Sequence, residues 1–252
     1  MILLYNVPVK RVCMRTLLVW LTLILSTIPL SVLALLTFPF DRKGNTIHRY
    51  ARLWGRLILW ASGTKVEVKG AENIPKGPAI IMSNHLSAFD IFVLSACLPV
   101  QFRWLAKASL FRIPFLGWAM SCAGYIPVER TNPREAQRSI QEASERIRSG
   151  TPVLIFPEGT RSRDGSLGPF KRGGFRLALK AGVPIVPVAI KGTYEIMPRG
   201  SLKISKPQRV TVLIGRPIPT EGSGPQQRDA LMEEVRRAIE EGLKEAEGCH
   251  PR

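Results

Sequence analysis

Residues 79–98 read AIIMSNHLSAFDIFVLSACL, and the change of pattern inside this stretch decides the fold. Ala79, Ile80, Ile81, Met82 and Ser83 form a short apolar run, the length of a buried strand rather than a helix. Asn84, His85, Leu86 and Ser87 break it, and from about Ala88 to Leu98 the pattern is helical. The same alternation recurs down the chain. Strands are expected at 66–68, 102–106, 125–128, 152–156, 185–190 and 209–214. Helices are expected at 133–149, at 175–181 with Gly182 as the stop, and at 229–247, where Leu231, Val235, Ile239 and Leu243 share one face. Strands alternating with helices imply an α/β fold, a mixed and mostly parallel sheet flanked by helices. In such sheets, sites gather in the loops beyond the strand ends.

Upstream of the sheet the chain changes character. Residues 16–40 carry no charge, a run of about 25 residues that can cross a bilayer core. It is too long for the core of a signal peptide, and no small-residue cleavage site follows it. Lys10, Arg11 and Arg15 precede it; Arg42, Lys43, Arg49, Arg52 and Arg56 follow, so the flanking charges set no orientation. Pro29, in mid-run, removes a helix hydrogen bond. Two readings stand: a re-entrant or hairpin insertion with both ends on the cytoplasmic side, and a single spanning helix. Residues 45–62 read as an amphipathic helix, with Leu53, Leu57 and Trp60 on the apolar face and Arg49, Arg52 and Arg56 in a basic stripe. That combination suits an interfacial helix on anionic lipid, and an ordinary core-packing helix has the same period. The chain thus divides into an N-terminal element of membrane-inserted and interfacial helices, residues 1–62, and a body with a C-terminal helix, residues 63–252.

Of the 252 residues, 45% are hydrophobic, enough for a sizeable core. The 36 Lys and Arg against 19 Asp and Glu leave a net charge of +17, which suits an anionic surface, either nucleic acid or acidic lipid. No motif for reading nucleic acid is present, and the apolar N-terminus favours lipid. Cys13, Cys97, Cys122 and Cys249 are scattered without a CxxC pair, the usage of reduced thiols. With only His48, His85 and His250 as histidines, no metal site is expected.

Two loops after apolar strands carry unusual chemistry. In NHLSAFD, residues 84–90, His85 precedes Asp90 by five positions. A strand end running into a helix start can fold these side chains together, so that Asp90 holds one imidazole nitrogen and the other accepts a proton. No serine or cysteine nucleophile stands beside them, and a base without one can activate a substrate hydroxyl directly. Ser87-x-x-Asp90 is also capping-box spacing, so Asp90 has a purely structural alternative. In FPEGTRS, residues 156–162, Gly159 lets the backbone approach a ligand and Arg161 offers a planar fork for phosphate. A solvated turn with a Glu158–Arg161 pair is the plainer reading. Lys107, Arg130 and Lys171 are further cations near strand ends or loops.

Taken together, these stretches resemble the glycerolipid acyltransferases, specifically the 1-acylglycerol-3-phosphate (lysophosphatidic acid) acyltransferases. NHLSAFD is similar to their first block; KASLFRIPFLGW (107–118), continuing through GYIPVER (124–130), to the second; FPEGTRS to the third; and VPIVPV (183–188) to the fourth. Glu129 departs from the aspartate that many members carry before the arginine. The resemblance implies transfer of a fatty acyl group from acyl-carrier protein or coenzyme A to the sn-2 hydroxyl of 1-acyl-sn-glycerol 3-phosphate, giving phosphatidic acid. It implies His85 as general base and Asp90 as its orienting partner. Lys107 and Arg161 are implied phosphate ligands, with Arg130 as a further candidate. Glu158 and Gly159, and with them Thr160, are implied to shape the acceptor site. The thioester is a co-substrate and no cofactor is expected. The implied setting is a membrane, with the catalytic body on the cytoplasmic face and anionic lipid as a partner. The acyl chain needs an apolar groove, for which residues 110–120 are a candidate wall, and a core helix is an equal reading of the same stretch. Rival readings are an acyltransferase for another lysolipid such as lyso-ornithine lipid, a non-catalytic acidic-lipid binder, and a lipid hydrolase. The absence of G-x-S-x-G weighs against the usual serine form of the last.

Overall fold

The computed structural model describes residues 9–129, 133–148, 150–205, 208–220 and 225–248. Two helices come first, α1 (Val9–Thr37) and α2 (Asn45–Ser62). There follow β1 (Lys65–Lys69), β2 (Ile80–Ser83), α3 (Phe89–Cys97), β3 (Arg103–Lys107), α4 (Leu116–Cys122), β4 (Ile126–Val128) and α5 (Pro133–Arg148). The chain continues with β5 (Val153–Ile155), α6 (Arg172–Ala181), β6 (Ile185–Lys191), β7 (Arg209–Ile214) and α7 (Arg228–Gly248). The strands form one seven-stranded sheet in the order β1-β7-β6-β2-β5-β3-β4. Every neighbouring pair is parallel except β6 and β7, so the sheet is mixed and mostly parallel.

The apolar runs behave as strands buried on both faces. Ile81, Leu154 and Val186 point into a core shared with α2 and α3, whereas Ile80, Met82, Val153, Ile155 and Ile185 point into a second core under α5, α6 and α7. Alternate residues of one strand therefore serve opposite layers. Helix α4 packs on the first side, where Met120 and Cys122 join the core.

Helix α1 runs through Pro29 without a break, so the chain does not turn back in the middle of the apolar run. The reversal lies at residues 38–44. Helices α1 and α2 form an antiparallel hairpin, closed by a Thr37 Oγ1–Tyr50 Oη hydrogen bond of 3.0 Å and a Trp54 Nε1–Thr27 Oγ1 bond of 3.0 Å. Asp41, outside the helix, accepts the N–H groups of Asn45, Thr46 and Ile47 and so satisfies the first turn of α2. Gly44 is at φ 71°, and a Cβ there would sit 2.7 Å from the Ala123 backbone, so only glycine lets the hairpin turn rest against the end of α4. The other end of α1 is also tied down: Arg15 donates to the Ser205 carbonyl at 3.1 Å and Trp20 Nε1 to the Leu202 carbonyl at 2.9 Å.

Candidate active site

The parallel strands β6, β2, β5 and β3 end at the same edge of the sheet, and the loops leaving them build the site. Asn84, fully buried, continues the sheet after β2 has ended: its side chain donates to the Ile190 carbonyl at 2.9 Å and accepts the Ile190 N–H at 2.8 Å. The amide stands in for a strand residue, and the backbone is free to turn His85 away from the sheet.

His85 Nδ1 lies 2.8 Å from Asp90 Oδ2, in the first turn of α3. The same oxygen accepts the N–H groups of Leu86 at 2.7 Å and Ser87 at 2.8 Å. Asp90 is wholly buried, and its Oδ1 has no hydrogen-bond partner. The capping and orienting readings of Asp90 are thus the same contact: one oxygen ties the helix start and the imidazole together. Ser87 does its part through Oγ, which accepts the Phe89 N–H at 3.2 Å and donates to the Met197 carbonyl at 2.7 Å. With Nδ1 engaged, Nε2 is the nitrogen left to face a substrate. The ring stacks on Phe156, with centroids 3.8 Å apart and planes 6° from parallel. Phe156 was not singled out in the sequence; an aromatic at the strand end directly before the Pro-Glu-Gly loop is the signal that marks it.

The second loop grips the first through backbone. Ser162 N–H donates to the His85 carbonyl at 2.8 Å, and the His85 N–H donates to Glu158 Oε1 at 2.7 Å. Glu158 is 3% exposed, and its Oε2 accepts the Gly168 N–H at 2.8 Å. A Glu158–Arg161 pair is therefore not formed; both carboxylate oxygens are taken by backbone. Burial pushes the Glu158 carboxyl up, and the N–H donors of His85 and Gly168 pull it only part of the way back.

Beside His85 opens a cavity of about 500 Å³, inside the roughly 300–1,000 Å³ range of small-molecule sites. Its polar rim holds His85, Lys107, Gly159, Thr160 and Arg161. Neither the Lys107 ammonium nor the Arg161 guanidinium forms an ion pair or hydrogen bond among the described residues. Beyond the rim the wall is apolar. Leu110, Leu116, Ala119 and Met120 come from the stretch expected to form it. The opposite wall, from Leu30 and Ala34 of α1 and Ile47, Ala51 and Trp54 of α2, was not expected in the sequence, because it requires the N-terminal hairpin to fold back on the body. Lys171 lies apart, on a smaller cavity of about 260 Å³ with Gly173 and Gly174. Arg130 lies outside the described residues.

Residues 65–191, about half of the chain, match the acyltransferase family model. The chain is 39% identical over 225 residues to a chloroplastic 1-acyl-sn-glycerol-3-phosphate acyltransferase from Brassica napus, covering 86% of this chain and 63% of the relative. A homologue from Arabidopsis thaliana bearing the same activity in its name is 40% identical over 83% of this chain and 57% of its own length, so the chain spans roughly six-tenths of these plant proteins. Coverage is more even for the 1-acyl-sn-glycerol-3-phosphate acyltransferase of Pseudomonas aeruginosa, at 34% identity over 76% of both chains. The crystal structure of the 1-acyl-sn-glycerophosphate acyltransferase from Thermotoga maritima superposes with a TM-score of 0.82 and 27% identity, over 96% of this chain and 99% of that one. Sequence blocks, sheet order and these matches agree: the chain belongs to the acyltransferase family.

Proposed function

We propose that this protein transfers a fatty acyl group from acyl-coenzyme A or acyl-carrier protein to the sn-2 hydroxyl of 1-acyl-sn-glycerol 3-phosphate, releasing the free thiol and phosphatidic acid. The observation that carries the reading is the His85–Asp90 pair, 2.8 Å apart, on the rim of an apolar cavity that Lys107 and Arg161 also line, two cations without an ion-pair partner among the described residues. His85 Nε2 takes the hydroxyl proton as the oxygen attacks the thioester carbonyl. The tetrahedral intermediate collapses, the C–S bond breaks, and the imidazolium returns the proton to the thiolate. Asp90 stabilises the imidazolium between the two steps. The thioester is already activated, so neither a covalent acyl-enzyme nor a cofactor is needed. Lys107 and Arg161 hold the phosphate by charge-assisted contacts, Gly159 and Thr160 border the acceptor, and the apolar cavity takes an acyl chain.

The membrane supplies the acceptor. Among the described residues one helical stretch, Met14–Thr37, is long and apolar enough to span a bilayer. Leu17, Leu21, Leu25, Ile28 and Leu36 leave its outer face exposed. The start of α1 is hydrogen-bonded to backbone carbonyls of the body and its end to Tyr50 of α2, polar contacts that would be drawn into hydrocarbon if the helix crossed it. Insertion from the cytoplasmic side, with anionic lipid against the Arg49 and Arg56 face of α2, avoids that cost. Cysteine labelling of the two flanks in sealed vesicles tests this; labelling from opposite sides would establish a spanning helix.

The activity is tested by an acceptor screen of the purified protein in detergent, with acyl-coenzyme A and acyl-carrier protein donors in parallel. Phosphatidic acid is the expected product. Equal acylation of zwitterionic lysolipids or of lyso-ornithine lipid would move the acceptor assignment, and absence of ester formation with any acceptor would leave a lipid-binding protein.

A further inference from the structure

We propose that Glu158 is a positioning residue for His85 and not a ligand of the acceptor. This rests on the reading of His85 as the base. Glu158 is buried and stands apart from the cavity wall, whereas its neighbours Gly159, Thr160 and Arg161 line that wall. One carboxylate oxygen accepts the His85 N–H at 2.7 Å and the other the Gly168 N–H at 2.8 Å. Each oxygen is held by a backbone donor and the residue is 3% exposed, so burial leaves a substrate hydroxyl no open approach to the carboxylate.

The contacts continue behind Glu158. A Cβ at Gly168 would come 2.8 Å from Glu158 Oε2, so this loop rests directly on the carboxylate. The carbonyl of Gly168 is held in turn by Arg236 of α7 at 2.9 Å. Arg236 is steadied by Glu240 one turn later, at 2.9 Å. A chain of contacts therefore runs from α7 through Gly168 and Glu158 to the backbone N–H of His85. On the other side of the same residue, Ser162 N–H holds the His85 carbonyl. Asp90 on Nδ1 and Phe156 against the ring orient the imidazole, and the Glu158 contact fixes the backbone from which it projects toward the cavity. Displacing the carboxylate moves the base, and Lys107, at the end of β3, stays where it is.

Three variants test this: Glu158→Gln, Gly168→Ala and Arg236→Ala. The glutamine presents an amide N–H where one of two backbone donors needs an acceptor, and the alanine methyl meets the carboxylate. For the first two, kcat is expected to fall roughly ten- to a hundredfold, the equivalent of one lost charge-assisted contact, and more mildly for Arg236→Ala. The KM for lysophosphatidic acid should stay within about threefold of wild type in all three. The Glu158→Gln/Gly168→Ala double variant should be little worse than the stronger single one, because both act through one contact. A second readout needs no turnover. The chain has 3 histidines, so ¹⁵N-histidine spectra of the acceptor-free protein resolve the His85 Nδ1–H proton, assigned by its loss in His85→Ala. That resonance should shift in Glu158→Gln and Gly168→Ala. An acceptor KM raised tenfold or more at unchanged kcat, or an unmoved His85 signal in both variants, overturns the proposal. Full activity of His85→Ala would instead overturn the general-base reading on which it rests.

Discussion

Replacing Asp90 by asparagine separates charge from geometry at the centre of the site. All three donors that Asp90 serves, His85 Nδ1, Leu86 N and Ser87 N, converge on Oδ2, while Oδ1 is buried without a partner. An asparagine can place its oxygen at the Oδ2 position and its NH₂ in the other slot. The hydrogen bonds then survive, and the fold loses on the order of 1–3 kcal/mol for a buried amide group with no acceptor. What disappears is the negative charge beside the imidazolium formed during transfer. At the 2.8 Å separation and an effective dielectric constant of about 20, that attraction is worth about 6 kcal/mol, and about 4 kcal/mol if the charges are centred about 4 Å apart. At about 1.4 kcal/mol per decade, Asp90→Asn should lower kcat by roughly 10³–10⁴-fold. The assay is phosphatidic acid formation from lysophosphatidic acid and a labelled acyl thioester, with a melting curve on the same preparation. A folded Asp90→Asn protein with turnover within about tenfold of wild type would refute the reasoning and reduce Asp90 to a helix cap.

Arg161→Ala and Lys107→Ala should each raise the KM for lysophosphatidic acid ten- to a hundredfold, at roughly 1.5–3 kcal/mol per contact, and change the thioester KM far less. Arg161→Lys should recover only part, because a point charge does not reproduce the fork; normal acceptor binding by both alanine variants would remove these residues from the phosphate site. Gly55→Ala places a methyl 2.6 Å from the Phe92 carbonyl, where α2 packs on α3. The overpacking should cost about 1–3 kcal/mol and lower the melting temperature about 2–4 °C per kcal/mol, and an unshifted melt would show that α2 is not held this closely. His48 is buried against Phe102 and Tyr125, and burial, then the charges of Arg103 and Arg52, push its pKa down from 6.5 to about 3. Its folded value lies below the unfolded one, so stability is full above pH 6.5 and is lost as the pH falls toward 3, by about 2 kcal/mol between pH 7 and pH 5. His48→Asn should remove that part of the pH dependence in denaturant titrations, and an unchanged slope would contradict it.

The elements that could be read from the chain are those with a local signal. Residues 45–62 were expected as a helix and form one with the same bounds, because Gly63 takes the left-handed conformation that stops it. The apolar runs at 80–83 and 153–155 announce buried strands, and the polar loops that end them announce a site. Strand direction carries no such mark: nothing in the period of residues 209–214 says that β7 lies antiparallel to β6. Residues 110–120 read equally as a cavity wall or a core helix; the helical part is α4, whose seven residues span only two turns and so leave its bounds unmarked in a longer apolar stretch. Arg103 is charged yet buried within β3, because the carbonyl of Lys43 and the side chain of Asn45 reach it from the N-terminal hairpin. At the site, the spacing of His85 and Asp90 showed that they could meet, and only the folded backbone shows that Glu158 faces inward while Arg161 lines the cavity. Direction of a loop side chain is set by contacts some seventy residues away in sequence, beyond any local pattern.

The most direct test of this account is the turnover of His85→Ala, assayed as phosphatidic acid formed from lysophosphatidic acid by protein shown to be folded and membrane-bound. Removing the base should lower the rate by about 10²–10⁴-fold and leave acceptor binding in place. Near-normal turnover in that protein would contradict the assignment of His85 as the general base.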